Sequence, residues 1–198
     1  DTGAPKADAA PGQANAIGDL ISAQPRINLT DSRIIVKGWH DDPVVLNLKQ
    51  LKAEAGRVNR YLAGDVILQG PTQLAFQLRA KLRGSFFVAD SLNGDIYLDA
   101  AQADWLPWIP EAKRQFKQVQ LTGLQGGNET WLRFRDSQLV DATTRFIVHR
   151  FNLDSDNEIQ PPQIKRLSGV VRWQRLDNGG WQAGIEDFQM ATSRFNWQ

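Results

Sequence analysis

"TQLAFQLRAKLR", residues 72–83, decides the fold. Leu74, Phe76, Leu78, Ala80 and Leu82 fall on even positions, and Gln73, Gln77, Arg79, Lys81 and Arg83 on odd ones. Successive side chains of a β-strand leave the backbone on opposite faces, so this alternation predicts a strand with one face against something apolar and the other in water.

The same period of two extends in both directions. "RIIVKGW" (33–39) and "VVLNLKQL" (44–51) read as strands around the turn "HDDP", and "RVNRYLAGDVIL" (57–68) puts Val58, Leu62, Val66 and Leu68 on one face. Further strands are expected at 92–100, 117–123, 129–135 and 144–153, the last with apolar residues on both parities. "RLSGVVRWQRLDNGGWQAGIEDFQM" (166–190) reads as a hairpin, because Asp177, Asn178, Gly179 and Gly180 are turn formers between Leu167, Val171 and Trp173 on one side and Trp181, Ala183 and Ile185 on the other. Phe188 and Met190 change parity relative to Ile185, which predicts a bulge near Glu186–Asp187. "AQADWLPWIPEAKRQF" (101–116) breaks the series and is expected to hold one helical turn, with Trp105, Trp108 and Ile109 as plugs.

Only "ANAIGDLISAQPR" has a helical period, with Ile17, Leu20 and Ile21 spaced for a short amphipathic helix at about 16–24 that Pro25 stops. Residues 1–13 are small, polar and Pro/Gly-bearing, and read as a flexible linker or tail ahead of a β-unit over 14–198. No strand–helix–strand alternation is present, so the expectation is all-β: a long, twisted, antiparallel meander with one short N-terminal helix.

Composition narrows the function. The 198 residues carry 23 basic and 22 acidic side chains, a net charge of +1, which gives no reason to expect a nucleic-acid partner. There is no cysteine, which removes disulfides, thiol catalysis and thiolate metal sites. No apolar run approaches the roughly 20 residues of a membrane helix. The chain opens on Asp1 and ends on "SRFNWQ", which suggests a piece of a longer protein whose anchor lies outside it.

Catalytic signatures are missing. His40 sits in a turn beside Asp41 and Asp42, and His149 lies inside a strand next to apolar neighbours. "DSDNE" (154–158) departs from a calcium loop at Ile159, where a glycine is needed, and at Lys165, where a bidentate Glu is needed. The glycines of "LTGLQGGNET" precede a strand, so no phosphate cradle is expected. Asp95 and Asp99 share a face, and it is the wet one. Asn28-Leu-Thr30 and Asn128-Glu-Thr130 match a glycosylation sequon, relevant only to a eukaryotic secreted protein. No enzyme activity, cofactor or metal is expected. Seven tryptophans remain, readable as ordinary core, as sugar-stacking platforms, or as liners of a lipid groove.

"LISAQPRINLTDSRIIVKGW", "LNGDIYLDAAQADWLPWI", "LTGLQGGNETWLRFRDSQL" and the closing hairpin, taken in order, resemble the AsmA-like proteins of Gram-negative bacteria, most closely the YhdP branch. The shared features are the Gln-Pro before the first strand, the Leu92–Ile96 strand start, the Trp105–Leu106 pair, and Leu167–Trp173 paired with Gly180–Trp181. The resemblance implies a periplasmic segment of an inner-membrane-anchored protein. It implies repeated β-strands curled into a groove that shields phospholipid acyl chains on their way to the outer membrane. Further repeats of the same chain would continue it, and no catalytic residues carry over.

An apolar sheet face cannot stay wet: at roughly 25 cal/mol per Å², exposing ~1,000 Å² costs ~25 kcal/mol, against about 5–15 kcal/mol of net stability for a domain. Either a second sheet closes a sandwich, structural or carbohydrate-binding, with a dry core, or acyl chains complete the face. The resemblance favours acyl chains, lying against Leu62, Val66, Leu68, Leu74, Phe76, Leu78, Leu82, Ile96, Leu98, Leu132, Phe134, Val171, Trp173, Trp181 and Ile185.

Overall fold

The structure, a computed structural model, describes residues 24–36, 44–55, 59–84, 91–155, 163–194 and 196–197. The expected tail (1–13), the helix at about 16–24 apart from Gln24, the turn His40–Pro43, Val58 and residues 156–158 lie outside the described residues.

The described chain is nearly all strand: β1 (Arg26–Val36), β2 (Val44–Ala55), β3 (Arg60–Gln69), β4 (Gln73–Arg83), β5 (Asn93–Asp104), β6 (Gln115–Phe116), β7 (Val119–Arg135), β8 (Gln138–Ser155), β9 (Ile164–Arg175), β10 (Trp181–Thr192) and β11 (Asn196–Trp197). They form one antiparallel sheet, with β1 at one edge and β10–β11 at the other. Sequential neighbours pair throughout, except that β6 is a short flap on β7, so that β5 pairs with β7. The sheet does not close into a barrel. Each long strand packs on its sequential neighbours, and among the described residues no second sheet lies over either face.

Several boundaries differ from the sequence reading. The stretches expected at 117–123 and 129–135 are one strand, β7, which runs through Gly126 and Gly127. Glycine punctuates chains, so this pair reads as a loop. Here it allows three strands to close up: a Cβ on Gly126 would lie 2.2 Å from the Ile147 carbonyl oxygen, and one on Gly127 2.4 Å from that of Ala101. The strand expected at 144–153 is likewise longer, joined to β7 by a two-residue turn in which Asp136 (φ 50) and Ser137 (φ 59) are both left-handed. Such turns favour Asn-Gly or Asp-Gly, and Asp-Ser gives a weaker signal. β1 starts at Arg26, not Arg33, because Asp31 with φ 46 breaks the alternation in mid-strand. Residues 101–116 hold the end of β5, two single 3-10 turns (Leu106–Trp108 and Glu111–Lys113) and β6.

Bulges explain the parity conflicts. In β8 the register against β7 slips by one residue at His149, so Phe146 and Val148, then Phe151 and Leu153, face the same way despite opposite parity. In β2 the slip falls at Lys49, which puts Leu46 and Leu48 on the face of Leu51 and Ala53. The expected bulge near Glu186–Asp187 is present: the β9–β10 register shifts between Glu186 and Gln189, and Asp187 has φ 48.

The result is an apolar side that survives every slip. β4 alternates between exposed and covered along its whole length, with Leu74 at 5% and Leu82 at 2% exposure. In a flat single layer both faces would be equally wet. Coverage is thus one-sided, and in part supplied by the Trp105 and Trp108 indoles that pack on Leu68 and Leu74; sheets of about ten strands are also usually twisted.

Gly64 tests how tightly the strands close. A Cβ there would lie 2.1 Å from the Gln50 carbonyl oxygen beside the β2 bulge, whereas a Cβ on Gly184 of β10 meets nothing within 4 Å. Gly64→Ala should therefore cost about 1–3 kcal/mol. Gly184→Ala should be neutral or stabilise by about 0.4–1 kcal/mol. Urea midpoints of the two variants check the contrast.

Candidate functional site

Antiparallel partners directly opposite each other share a face. One row of such partners crosses all nine long strands: Ile27, Ala53, Leu62, Ala80, Ile96, Leu132, Ala142, Trp173 and Ala183. Every member is apolar. The next row is Leu29, Leu51, Gly64, Leu78, Leu98, Thr130, Thr144, Val171 and Ile185. Neither row contains a charge. Strand spacing of about 4.8 Å makes each row about 38 Å long.

The fifteen residues named from the sequence as liners all fall on this face. Val66, Leu68, Leu74 and Leu82 are buried in its floor, at 2–5% exposure. Leu62, Phe76, Leu78, Ile96, Leu98, Leu132, Phe134 and Val171 are partly covered. Trp173, Trp181 and Ile185 stand open at the β9–β10 end. Sequence reading missed others, among them Leu48, Leu51, Phe146 and Val148, because the bulges at Lys49 and His149 conceal their common side.

Trp105 and Trp108 act as plugs, as expected. Both pack on Leu68, Leu74 and Ala103, together with Leu46 and Phe76. Trp108 Nε1 donates to Thr72 Oγ1 at 3.0 Å and Trp105 Nε1 to the Gly126 carbonyl at 3.2 Å. The indoles thus close the floor where β3 turns into β4. At the other end, Thr130, Leu132, Leu139, Ala142, Thr144, Trp173 and Trp181 bound an open cleft of about 540 Å³. That volume lies within the usual range of ligand sites, about 300–1,000 Å³.

The opposite face is polar and cross-braced. Lys81, Asp95, Arg133 and Asp141 form a row of alternating charge, with Arg133 Nε 3.1 Å from Asp95 Oδ1. Hydrogen bonding to Asp95 holds the Arg133 guanidinium still more firmly in its charged form. Arg172 pairs with Glu186 at 3.0 Å, and Arg145 with Glu129 at 3.1 Å while lying over the Trp131 ring. Exposed pairs of this kind contribute little each, about 0–1 kcal/mol, but they mark the wet side, with Asp95 and Asp99 on it as expected. His149 is exposed at its bulge. Among the described residues no group of three or more His, Asp or Glu side chains is placed to hold a metal ion, and no helix is long and apolar enough to cross a membrane. Asn128 and Thr130 of the sequon lie in mid-strand on the apolar side, hydrogen-bonded to each other at 2.9 Å.

The model of one protein family, described as YhdP protein, matches residues 3–198, and the chain belongs to that family. No curated protein and no solved structure matches the chain.

Tyr97 reports on the polar face. Partial burial raises its phenol above the ordinary value of about 10. Donation to Glu129 at 2.9 Å and the charges of Asp99 and Glu129 raise it further, with Arg79 opposing. The folded state therefore favours the protonated phenol. That contribution is complete below pH ~10 and is lost as pH climbs through the raised value. Glu129→Ala should bring the Tyr97 titration, followed by phenolate absorbance, back toward ordinary.

Proposed function

We propose that this YhdP-family chain is a segment of a periplasmic lipid-transfer bridge. Its curled apolar face shields phospholipid acyl chains between the inner and outer membranes while headgroups stay at the groove mouth in water. The observation that carries this reading is the uncharged row running across nine strands, over which no second sheet lies among the described residues. Such a face is too large to leave in water, and a chain lying along it would be covered as in a bilayer. One leaflet of a hydrocarbon core is about 15 Å deep, so a row of ~38 Å takes two chains end to end.

The resemblance to AsmA-like envelope proteins supports the same reading. The membrane anchor would lie outside this segment, and further repeats of the chain would continue the sheet beyond β1 and the β10–β11 edge. Transfer along such a path needs many weak, similar contacts and no chemistry, so the segment acts as a conduit and not as an enzyme. A sugar-stacking reading has less support. Trp105, Trp108, Trp173 and Trp181 sit on or over the apolar side, and on the polar side the Trp131 ring is tilted 47° to Tyr97 and overlain by Arg145.

A photo-crosslinking side chain at Leu78 should capture phospholipid, and one at Gln77 or Arg79 should not, because neighbours on a strand point to opposite faces. Leu78→Asp would set an unpaired charge among acyl chains, which costs several kcal/mol. It should lower lipid capture more than tenfold while leaving the β circular-dichroism signal in place, since Leu78 stands beside the side-chain-free Gly64 of the neighbouring strand and has room to turn toward water. Equal capture at positions 77 and 78 would remove the reading.

A further inference from the structure

Among the described residues, a polar step interrupts the apolar rows where β7 meets β8. Asn128 Nδ2 donates to Thr130 Oγ1 at 2.9 Å, and Thr130 Oγ1 lies 3.1 Å from Thr144 Oγ1. Asn128 Oδ1 is buried and has no hydrogen-bond partner. Asn128 follows Ala100 and precedes Phe146 in its row, and the two threonines follow Leu98 and precede Val171 in theirs, so apolar residues surround the trio. A polar group on such a surface carries a desolvation cost unless it is satisfied.

Proton counting shows what the step offers. Two hydroxyls carry two protons. The bond between Thr130 and Thr144 uses one, whichever residue donates. The Asn128 amide already donates to Thr130 and needs no proton from it. One hydroxyl proton is left over, and both threonines line the open cleft with Leu132, Leu139, Ala142, Trp173 and Trp181. The cleft therefore presents one spare hydroxyl proton among apolar walls, with the neutral indole N–H groups of Trp173 and Trp181 at its side. Its lining holds no cation to match a phosphate or a free carboxylate. The matching ligand group is a neutral acceptor at the end of a hydrocarbon chain.

We propose that this cleft is a binding site for the ester-linked end of an acyl chain, whose carbonyl oxygen accepts the spare hydroxyl proton of the Thr130–Thr144 pair while the chain lies along the apolar rows. The site rests on the acyl-groove reading and adds a fixed register to it. Chains do not slide over a uniform surface but pause where the carbonyl meets the step. The indoles of Trp173 and Trp181, half exposed at the cleft, suit the boundary between hydrocarbon and ester.

The test uses the 198-residue chain and two probes of equal length, methyl myristate and the corresponding straight alkane. Each displaces the apolar fluorophore N-phenylnaphthylamine. The parent should bind the ester about two- to tenfold more tightly, the worth of one hydrogen bond. In infrared spectra the bound carbonyl stretch should be lower than in hydrocarbon solvent. The Thr130→Val/Thr144→Val variant should lose the preference and the infrared shift but keep its alkane affinity, and Thr130→Ser/Thr144→Ser should retain all three. If the parent binds both probes equally, or the ester carbonyl is unshifted, the step is not a site although the groove stands. A preference that persists in the valine variant also overturns it. If neither probe displaces the fluorophore, the acyl-groove reading falls and this one with it. Should the valine variant fail to fold, the infrared shift in the parent and the serine variant still decides.

Discussion

The structure depends on the two-residue period of the β-strand, kept in phase across nine strands of a single layer. A sandwich needs only a patch of apolar side chains on each sheet, because the other sheet hides local errors. A layer with nothing stacked on it needs an unbroken row, since one inward charge would sit in the middle of the trough. Ile27 through Ala183 meets that demand. Small members, Ala53, Ala80, Ala142 and Ala183, stand between the larger ones except where Ile96 meets Leu132.

The two faces have complementary roles. The outer face is held by charge ladders and the Tyr97–Glu129–Arg145 network, none of which needs burial. The inner face contributes apolar area that the described protein only partly covers. Coverage is graded: the floor near Trp108 is closed by the protein itself, while Trp173, Trp181 and Ile185 at one end and Leu29 and Ile34 at the other stay open. Chain stability thus comes mainly from the central strands, and the uncovered apolar area lies at the ends.

Much of this was legible in the sequence. The strand 72–83 announced its two faces residue by residue, the hairpin turn at 177–180 was marked by its glycines, and the change of parity after Ile185 betrayed a bulge. What hid the rest was local backbone geometry with no compositional mark. Gly126 and Gly127 look like a loop and serve close strand approach. Asp136-Ser137 makes a tight turn from residues that rarely do. His149 and Lys49 shift the register with ordinary side chains, and so Leu48, Leu51, Phe146 and Val148 were invisible to a strict count by twos. The threonine step was missed because Thr130 and Thr144 are common strand residues whose partnership exists only across the β7–β8 pair.

The bulges have a consequence for how such a chain tolerates changes in length. In a regular stretch of β4 or β7, loss of one residue turns every later side chain to the wrong face, which is worse than any single substitution there. At His149, by contrast, removing the extra residue would leave Val148 and Phe151 on the same side and restore plain alternation. Lys49 and the Asp187 region have the same property. The bulged positions are therefore the joints at which insertions and deletions can enter a sheet of this kind without inverting it, and divergence in strand length among related chains should concentrate at them.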